Sequence, residues 1–174
     1  NGGGFIPDRM AHLTADGVLN WWARRHVELG STPSYGFDGP RAMLINGYSS
    51  SGGDAFPFYF RKLGAGKLIG STTWGGLIGY SGSPRLVDGG GLAVPSFSFV
   101  NTDGEWDVEA FGVKPDIEVF DDPTQIQAGR EPVLEAGVRH LLEELKTKGG
   151  FRRPPVPAYP DRRKPVDPAT APGG

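Results

Sequence analysis

The chain has 174 residues, of which 37% are apolar, so it is long enough for one folded domain with a packed core. It contains no cysteine, which excludes disulfides, a thiol nucleophile and a cysteine-ligated zinc site, and no apolar run approaches the roughly 18 residues of a membrane span. The formal net charge is −2, and residues 1–148 carry 18 acidic against 13 basic side chains, which argues against a nucleic-acid partner.

The body of the chain predicts a mixed α/β fold. Residues 8–26 have a helical spacing of apolar side chains that a glycine interrupts. An apolar run at 41–46 predicts a buried strand, and 53–63 predicts an aromatic helix that Gly64 ends. Short strand candidates lie between glycine-rich turns at 67–71, 85–87, 92–94, 97–100 and 106–109. Residues 130–148 predict the clearest helix, with an apolar stripe along one face.

The last segment, residues 149–174, differs in composition from the rest. It holds seven of the 16 prolines, together with five basic and two acidic side chains. We therefore divide the chain into a folded body, residues 1–148, and a proline-rich basic tail that we expect to be extended or loosely docked. The alternative is a strap against a partner domain, with Phe151 and Tyr159 as its anchors.

Three familiar site patterns fail in this sequence. Residues 64–67 resemble a phosphate-binding loop, but Leu68 stands where that loop has its magnesium-binding hydroxyl. The G-x-S-x-G pattern of hydrolases fails because the second residue after Ser49 is a serine rather than a glycine. The three histidines, at positions 12, 26 and 140, show no metal-ligand spacing, so we expect no metal site. They are His12, His26 and His140. The first and last of them lie on predicted helices with charged neighbours and are expected at the surface.

The strongest local signal is residues 45–60, where a predicted buried strand runs through three serines and two glycines into the aromatic helix. A serine there lies at the carboxyl end of a strand, where amides at the helix N-terminus face developing negative charge. Asp54 is placed to cap that helix. The alternative is a solvated Ser/Gly turn, because a nucleophilic serine needs a general base within hydrogen-bond reach and none is adjacent in sequence.

A second signal is residues 104–123, where Glu109 ends a strand-like alternation shortly before a glycine. A carboxylate at that position can orient a catalytic pair. Taken alone, Asp107, Glu109 and Glu118 also fit the exposed faces of strands, so the residues themselves leave both interpretations open.

Six segments occur in one order along the body: NGGG at 1–4, INGYSSSGGD at 45–54, FRKLGAGKLIGSTTWGGLIGYSG at 60–82, LVDGG at 86–90, VEAFGVKPDIEV at 108–119 and DDPTQIQAGREPVLEAGV at 121–138. In that order they resemble the tricorn-type serine peptidases, within the wider family that includes the C-terminal processing peptidases. The resemblance implies a crotonase-like α/β core, a spiral of ββα units, of which residues 1–148 hold the C-terminal portion. It also implies an upstream region with a Ser-His pair and a PDZ-like module, and we expect such sequence before Asn1.

The resemblance assigns roles by position. Ser51 aligns with the family's nucleophile, and Glu109 aligns with the acid of a Ser-His-Ser-Glu arrangement. The amide of Gly52 supplies one donor of the oxyanion hole and Gly4 supplies the other, with Gly3 as a near alternative. The family often has aspartate where Gly52 stands, but the role belongs to the backbone amide. The family's general-base histidine and its neighbouring serine have no counterpart in this chain.

Three functions remain after this comparison. The first is a serine peptidase that hydrolyses peptides or unfolded protein segments by acyl-enzyme chemistry, with its histidine outside this chain and no activity in the chain alone. The second is an inactive crotonase-like module that binds peptides or acts as a scaffold. The third is a coenzyme-A-handling enzyme of the same fold, although nothing indicates an adenine-nucleotide site. The presence of both Ser51 and Glu109 favours the first.

The resemblance also sets expectations for partners and location. We expect a peptide substrate, self-association into a homo-oligomer and no cofactor. We expect a cytoplasmic location, with the periplasm or secretion as alternatives, because a cysteine-free chain fits either side of a membrane.

Overall fold

The computed structural model describes residues 2–24, 27–82 and 84–158, and within them the chain forms a mixed α/β fold, as the sequence predicts. The elements in chain order are α1 (Ile6–Ala15), β1 (Asn20–Arg24), β2 (Val27–Thr32), β3 (Ala42–Ile45), α2 (Gly52–Lys62), β4 (Lys67–Gly70), β5 (Ile117–Glu118), α3 (Pro123–Gln127) and α4 (Pro132–Lys148). Across these ranges no helix combines the length and apolar character that crossing a membrane requires.

The central element is a parallel three-stranded sheet in the order β3-β4-β5. Neighbouring residues of a strand point to opposite faces, and β3 shows this directly. Leu44 faces α4, where a Cβ on Gly137 would lie only 2.8 Å from the Leu44 Cδ2 atom. Ile45, on the other face, belongs to the same buried cluster as Phe60 of α2. The two helices therefore cover opposite faces of the sheet.

The buried core joins the sheet to the loop that carries one of the predicted site residues. Five side chains, each at most 4% exposed, form the cluster: Ile45, Phe60, Leu68, Val108 and Val113. The last two belong to the long connection between β4 and β5, so core packing fixes this connection over the carboxyl ends of the strands.

Four of the predicted elements are confirmed, and one prediction is wrong over half of its length. The strands at 41–46 and 67–71 and the helices at 53–63 and 130–148 correspond to β3, β4, α2 and α4. The predicted helix at 8–26 is found only as α1, because the chain becomes extended at Asp16 (φ −67°, ψ 125°). The following residues pair instead as the antiparallel hairpin β1–β2, with Asn20 opposite Thr32.

The four strand candidates in the long connection, at 85–87, 92–94, 97–100 and 106–109, are also wrong. Residues 85–109 form isolated bridges rather than strands, and these join Arg85 to Gly91 and Val100 to Trp106, while Phe97 is bridged to Gly79. Each local bridge closes a glycine-containing turn of a few residues, so the backbone bonds are used within turns and no ladder extends beyond one pair.

The first residues of the tail contact the hairpin. The ring of Phe151 lies 5.7 Å from that of Trp21 and 5.2 Å from that of Phe37, centroid to centroid. Arg153 forms an ion pair with Glu28 of β2. The second predicted anchor, Tyr159, falls outside the described residues.

Candidate active site

Ser51 lies in a strained turn between the carboxyl end of β3 and the start of α2. Its backbone angles are φ 54° and ψ −116°, a conformation that residues with a side chain rarely adopt and that costs about 1–3 kcal/mol. The Ser51 amide donates to the Gly76 carbonyl at 2.9 Å, and the Ser51 carbonyl accepts from the amides of Asp54 and Ala55 at 2.9 and 3.0 Å. Hydrogen bonds on both sides of the residue hold the strained turn, and Ser51 itself is exposed.

Four backbone amides near Ser51, those of Gly3, Gly4, Ser50 and Gly52, have no acceptor within the described part of the chain. The amides of residues 53–55 donate to the carbonyls of Ser50 and Ser51, whereas those of Gly52 and Gly4 donate to nothing. A Cβ on Gly52 would lie 2.7 Å from the Gly4 oxygen and 2.9 Å from the Gly4 nitrogen, so the two backbones are in contact. A pair of free amides next to a serine can stabilise a developing oxyanion.

Gly4, rather than Gly3, shares a cavity with the serine. Gly4 has a left-handed backbone (φ 52°), and together with Ser51 and Gly52 it lines a cavity of about 230 Å³. Gly3 instead accepts a hydrogen bond from the Ile6 amide through its carbonyl and lines a different cavity. Of the two glycines, Gly4 is therefore the one that lines the cavity beside Ser51.

Glu109 lies in a turn and is half-buried, not on an exposed strand face. Its two neighbours, Val108 and Ala110, both have φ 67°, in the left-handed region that a β-branched residue such as valine rarely enters. Its Oε2 atom accepts hydrogen bonds from the amides of Leu77 and Ile78 at 2.7 and 2.6 Å. Two backbone donors therefore fix the orientation of this carboxylate.

Residues 74–78, which we call the amide strap, hold Glu109 and the Ser51 turn together. The Trp74 amide donates to the carbonyl of Ser49, two residues before Ser51, at 2.8 Å. The amides of Gly75 and Gly76 donate to Oδ1 and Oδ2 of Asp54 at 2.8 and 3.2 Å. With the two bonds to Glu109, all five consecutive amides of the strap are used on the parts that carry the predicted catalytic residues.

The structure corrects the role predicted for Asp54. The N-cap of α2 is Ser51, and no side chain caps the helix there. Asp54 is completely buried, and its two oxygens accept from the strap instead. Because a buried carboxylate is tolerated only when hydrogen-bonded, this residue is structural support for the site that the local capping pattern did not reveal.

The histidines do not complete the arrangement within the described residues. His12 is exposed on α1, and His140 is half-buried on α4 with its Nε2 atom 4.0 Å from Glu144, so the surface expectation holds only for His12. His26 lies outside the described residues. In the ranges that the structure covers, no histidine hydrogen-bonds to Ser51, and no cluster of three His, Asp or Glu side chains could hold a metal ion.

The chain is similar to known peptidases. Residues 9–119 match the model of peptidase family S41. The chain is 36% identical over 146 residues to the tricorn protease of Thermoplasma acidophilum, covering 84% of this chain and 14% of that protein. It is 32% identical over 157 residues to tricorn protease homolog 1 of Streptomyces coelicolor, covering 90% of this chain and 15% of that protein.

A solved structure gives the same result. The fold matches the crystal structure of the tricorn protease with a TM-score of 0.79 at 36% identity, covering 84% of this chain and 14% of that chain. The chain thus spans only a small part of the length of these relatives. By the extent of the family match and the identity to these relatives, it belongs to peptidase family S41.

Proposed function

We propose that the chain is the nucleophile-bearing part of a serine peptidase that hydrolyses peptides or unfolded protein segments through an acyl-enzyme. The observation that carries the proposal is the position of Ser51 in a strained turn that lines one cavity with Gly52 and Gly4, whose amides have no acceptor among the described residues. Membership of peptidase family S41 supports peptide-bond hydrolysis as the reaction. A crotonase-like core, a spiral of ββα units, is the fold that this proposal includes.

The chemistry follows from these groups. The Ser51 oxygen bonds to the substrate carbonyl carbon while its proton passes to the general base, and the carbonyl oxygen becomes an oxyanion between the two free amides. The C–N bond then breaks, and the amine leaves with that proton. Water attacks the resulting ester, releasing the carboxylic acid and restoring the serine. Loss of one oxyanion donor typically costs about 2.7–4 kcal/mol of transition-state stabilisation.

The general base in this proposal is a histidine outside residues 1–174, paired with a serine upstream, and Glu109 orients that relay. The amide strap supports the role of Glu109, because it fixes the carboxylate relative to the Ser51 turn. An unassisted serine hydroxyl is a poor nucleophile at neutral pH, so the proposal assigns no peptidase activity to residues 1–174 alone.

Exposed apolar side chains suit the partner segments that this proposal needs. Trp74, Trp106 and Phe111 are 67%, 74% and 74% exposed, and all three lie on the connection that carries Glu109. Exposed apolar surface on this connection is suited to contacts with other protein segments. We assign it to the upstream region of the same protein and to other copies in a homo-oligomer.

Active-site labelling of the intact protein tests the proposal. A fluorophosphonate probe should label the wild-type protein, and Ser51→Ala should abolish both labelling and peptide turnover because it removes the attacking oxygen. Ser49→Ala and Ser50→Ala are matched controls in the same turn and should keep labelling. Labelling of Ser51→Ala at a neighbouring serine would show that the nucleophile is misassigned, and an unlabelled wild type would favour the peptide-binding scaffold.

A further inference from the structure

A second cavity lies at the amino end of the parallel sheet, opposite to the end that carries Ser51. Its volume is about 540 Å³, within the range of about 300–1,000 Å³ typical of sites that bind a small ligand. Five basic and three acidic side chains line it, so the formal charge of the lining is +2. The whole chain has a net charge of −2, which makes this cavity a local concentration of positive charge.

The three carboxylates of the lining already have hydrogen-bond donors. Asp38 accepts from a backbone amide at 3.0 Å. Asp116 forms an ion pair with Arg61 at 3.4 Å. Glu144 forms one with Lys148 at 2.6 Å, and the hydrogen bond from Lys148 lowers the Glu144 pKa below its ordinary value of 4.5. Two of the five cations are therefore paired within the cavity.

The other three cations, Arg41, Lys67 and Arg152, form no ion pair with a carboxylate in the ranges that the structure covers. Arg41 donates to a backbone carbonyl and lies with its Cζ atom 5.2 Å from the centroid of the Phe37 ring. The side chains of Lys67 and Arg152 make no hydrogen bond to any described residue. Guanidinium and ammonium groups left unpaired around one cavity are the groups that bind an anion.

The fold brings these three cations together from distant parts of the chain. Arg41 directly precedes β3, and Lys67, the first residue of β4, is paired in register with Ala42 of β3. Residues 64–67, whose sequence resembles a phosphate-binding loop, form the turn that leads into β4. Arg152 follows α4, next to Phe151, whose ring packs against two aromatic rings of the hairpin region. The cavity is therefore built from fixed backbone rather than from a single surface helix.

We propose that this cavity binds the phosphoryl group of a small molecule, either inorganic phosphate or a phosphomonoester. A phosphoryl group carries a charge of about −1.5 to −2 at neutral pH, which matches the charge of the lining, and its oxygens accept from several cations at once. A single carboxylate carries half of that charge and has only two oxygens. The site lies at the other end of the sheet from Ser51, so its occupancy does not depend on peptide hydrolysis.

Equilibrium dialysis of the intact protein against radiolabelled inorganic phosphate tests the proposal. We expect saturable binding that Lys67→Gln and Arg152→Gln each weaken by about tenfold or more, the effect of losing one charge-assisted hydrogen bond. Glu144→Gln removes a competing negative charge and frees Lys148, so it should tighten binding. Lys146→Gln is the matched control and should leave the affinity unchanged, because this lysine is exposed on α4 outside the cavity.

Competition distinguishes the two sources of the phosphoryl group. Glucose 6-phosphate should displace the label, whereas glucose, its uncharged counterpart, should not. Displacement at lower concentrations of glucose 6-phosphate than of unlabelled phosphate assigns the site to a phosphomonoester, and the reverse order assigns it to inorganic phosphate. Displacement by glucose would overturn the proposal, because the phosphoryl group would then not be what the cavity recognises.

Two further results would also overturn the proposal. One is the absence of saturable binding, or an affinity that is the same in the wild type, Lys67→Gln and Arg152→Gln. The other is an equal loss in Lys146→Gln, which would show that net charge rather than the cavity attracts phosphate. Circular dichroism reports whether each variant folds, and if Lys67→Gln does not, Arg152→Gln decides.

Discussion

The two ends of the parallel sheet both hold charged side chains, but they hold them in different ways. At the carboxyl end, Asp54 and Glu109 accept hydrogen bonds from the backbone of the amide strap, and Asp54 is completely buried. At the amino end, where Lys67 opens β4, a larger cavity of about 540 Å³ is lined by charged side chains that include Arg61, Asp116, Glu144 and Lys148. The pairs there, such as Arg61 with Asp116 and Lys148 with Glu144, involve partly exposed partners.

The difference teaches that cavity size and charge density do not mark the end of the sheet that carries the predicted site residues. The larger cavity contains none of the predicted site residues. Exposed ion pairs contribute about 0–1 kcal/mol, whereas a buried polar group that loses its partner costs about 1–3 kcal/mol. The backbone-bound carboxylates lie at the carboxyl ends of parallel strands, which is where open α/β sheets bind their ligands.

At the carboxyl end of the sheet, where the backbone binds the carboxylates, we expect the largest effect on activity from Glu109→Gln. The glutamine can still accept from the two strap amides, so the fold and KM should change little, but it cannot orient a proton relay as a carboxylate does. We expect kcat of the intact protein to fall by about 10²-fold or more, the scale of general-base assistance. Steady-state kinetics over a range of substrate concentrations measure the split. A kcat equal to that of the wild type would reduce Glu109 to a structural residue.

The next effect should come from Asp54→Asn, which keeps one acceptor oxygen but replaces the other with an NH₂ donor. Either the Gly75 or the Gly76 amide then loses its partner, at a cost of about 1–3 kcal/mol. Hydrogen exchange followed by mass spectrometry should show the strap amides exchanging about 10- to 100-fold faster. Asp88→Asn is the matched control, because Asp88 is exposed and uses a single oxygen toward the Gly90 amide. Equal exchange rates of the strap amides in the two variants would contradict the role of Asp54 in holding the amide strap.

The smallest effect should come from Glu144→Gln at the amino end. Hydrogen bonding and attraction from Lys148 lower the Glu144 pKa below its ordinary value of 4.5. The contribution of this pair is therefore fully present above that value and is lost as the pH falls through the lowered pKa. Hydrogen exchange of α4 at pH 7 should change by less than about fivefold, the equivalent of an exposed ion pair, and the difference should vanish at acid pH. A larger change, or one that persists at acid pH, would contradict the view that the ion pairs at the amino end contribute less than the backbone-bound carboxylates at the carboxyl end.

The elements that could be predicted are those with a local signal. β3 is a short apolar run that ends at glycines, α2 has aromatic side chains at helical spacing before Gly64, and α4 carries an unbroken apolar stripe. The serine between β3 and α2 could therefore be placed at a strand–helix turn from the sequence. Its identity as the candidate nucleophile came from the family resemblance, because three serines share that turn.

The parts that could not be predicted depend on contacts distant in sequence. Trp21 and Trp22 fit a helical spacing as well as a strand, and pairing with β2 decides for the strand. Asp54 has the local pattern of a cap, but its donors lie in the strap, more than twenty residues along the chain. The contact between the Gly4 and Gly52 backbones likewise joins two glycine runs that no local rule connects.

The amide strap separates two properties that many active sites combine in the same side chains. Glu109 is held by the backbone N–H groups of Leu77 and Ile78, and every residue except proline carries that group. The side chain at position 77, which lines the cavity beside Ser51 and packs against the buried core, takes no part in binding the carboxylate. Related proteins can therefore exchange the residue at position 77 and change the lining of the cavity. A proline at 77 or 78 would instead remove an amide that binds Glu109, so selection must act against that change.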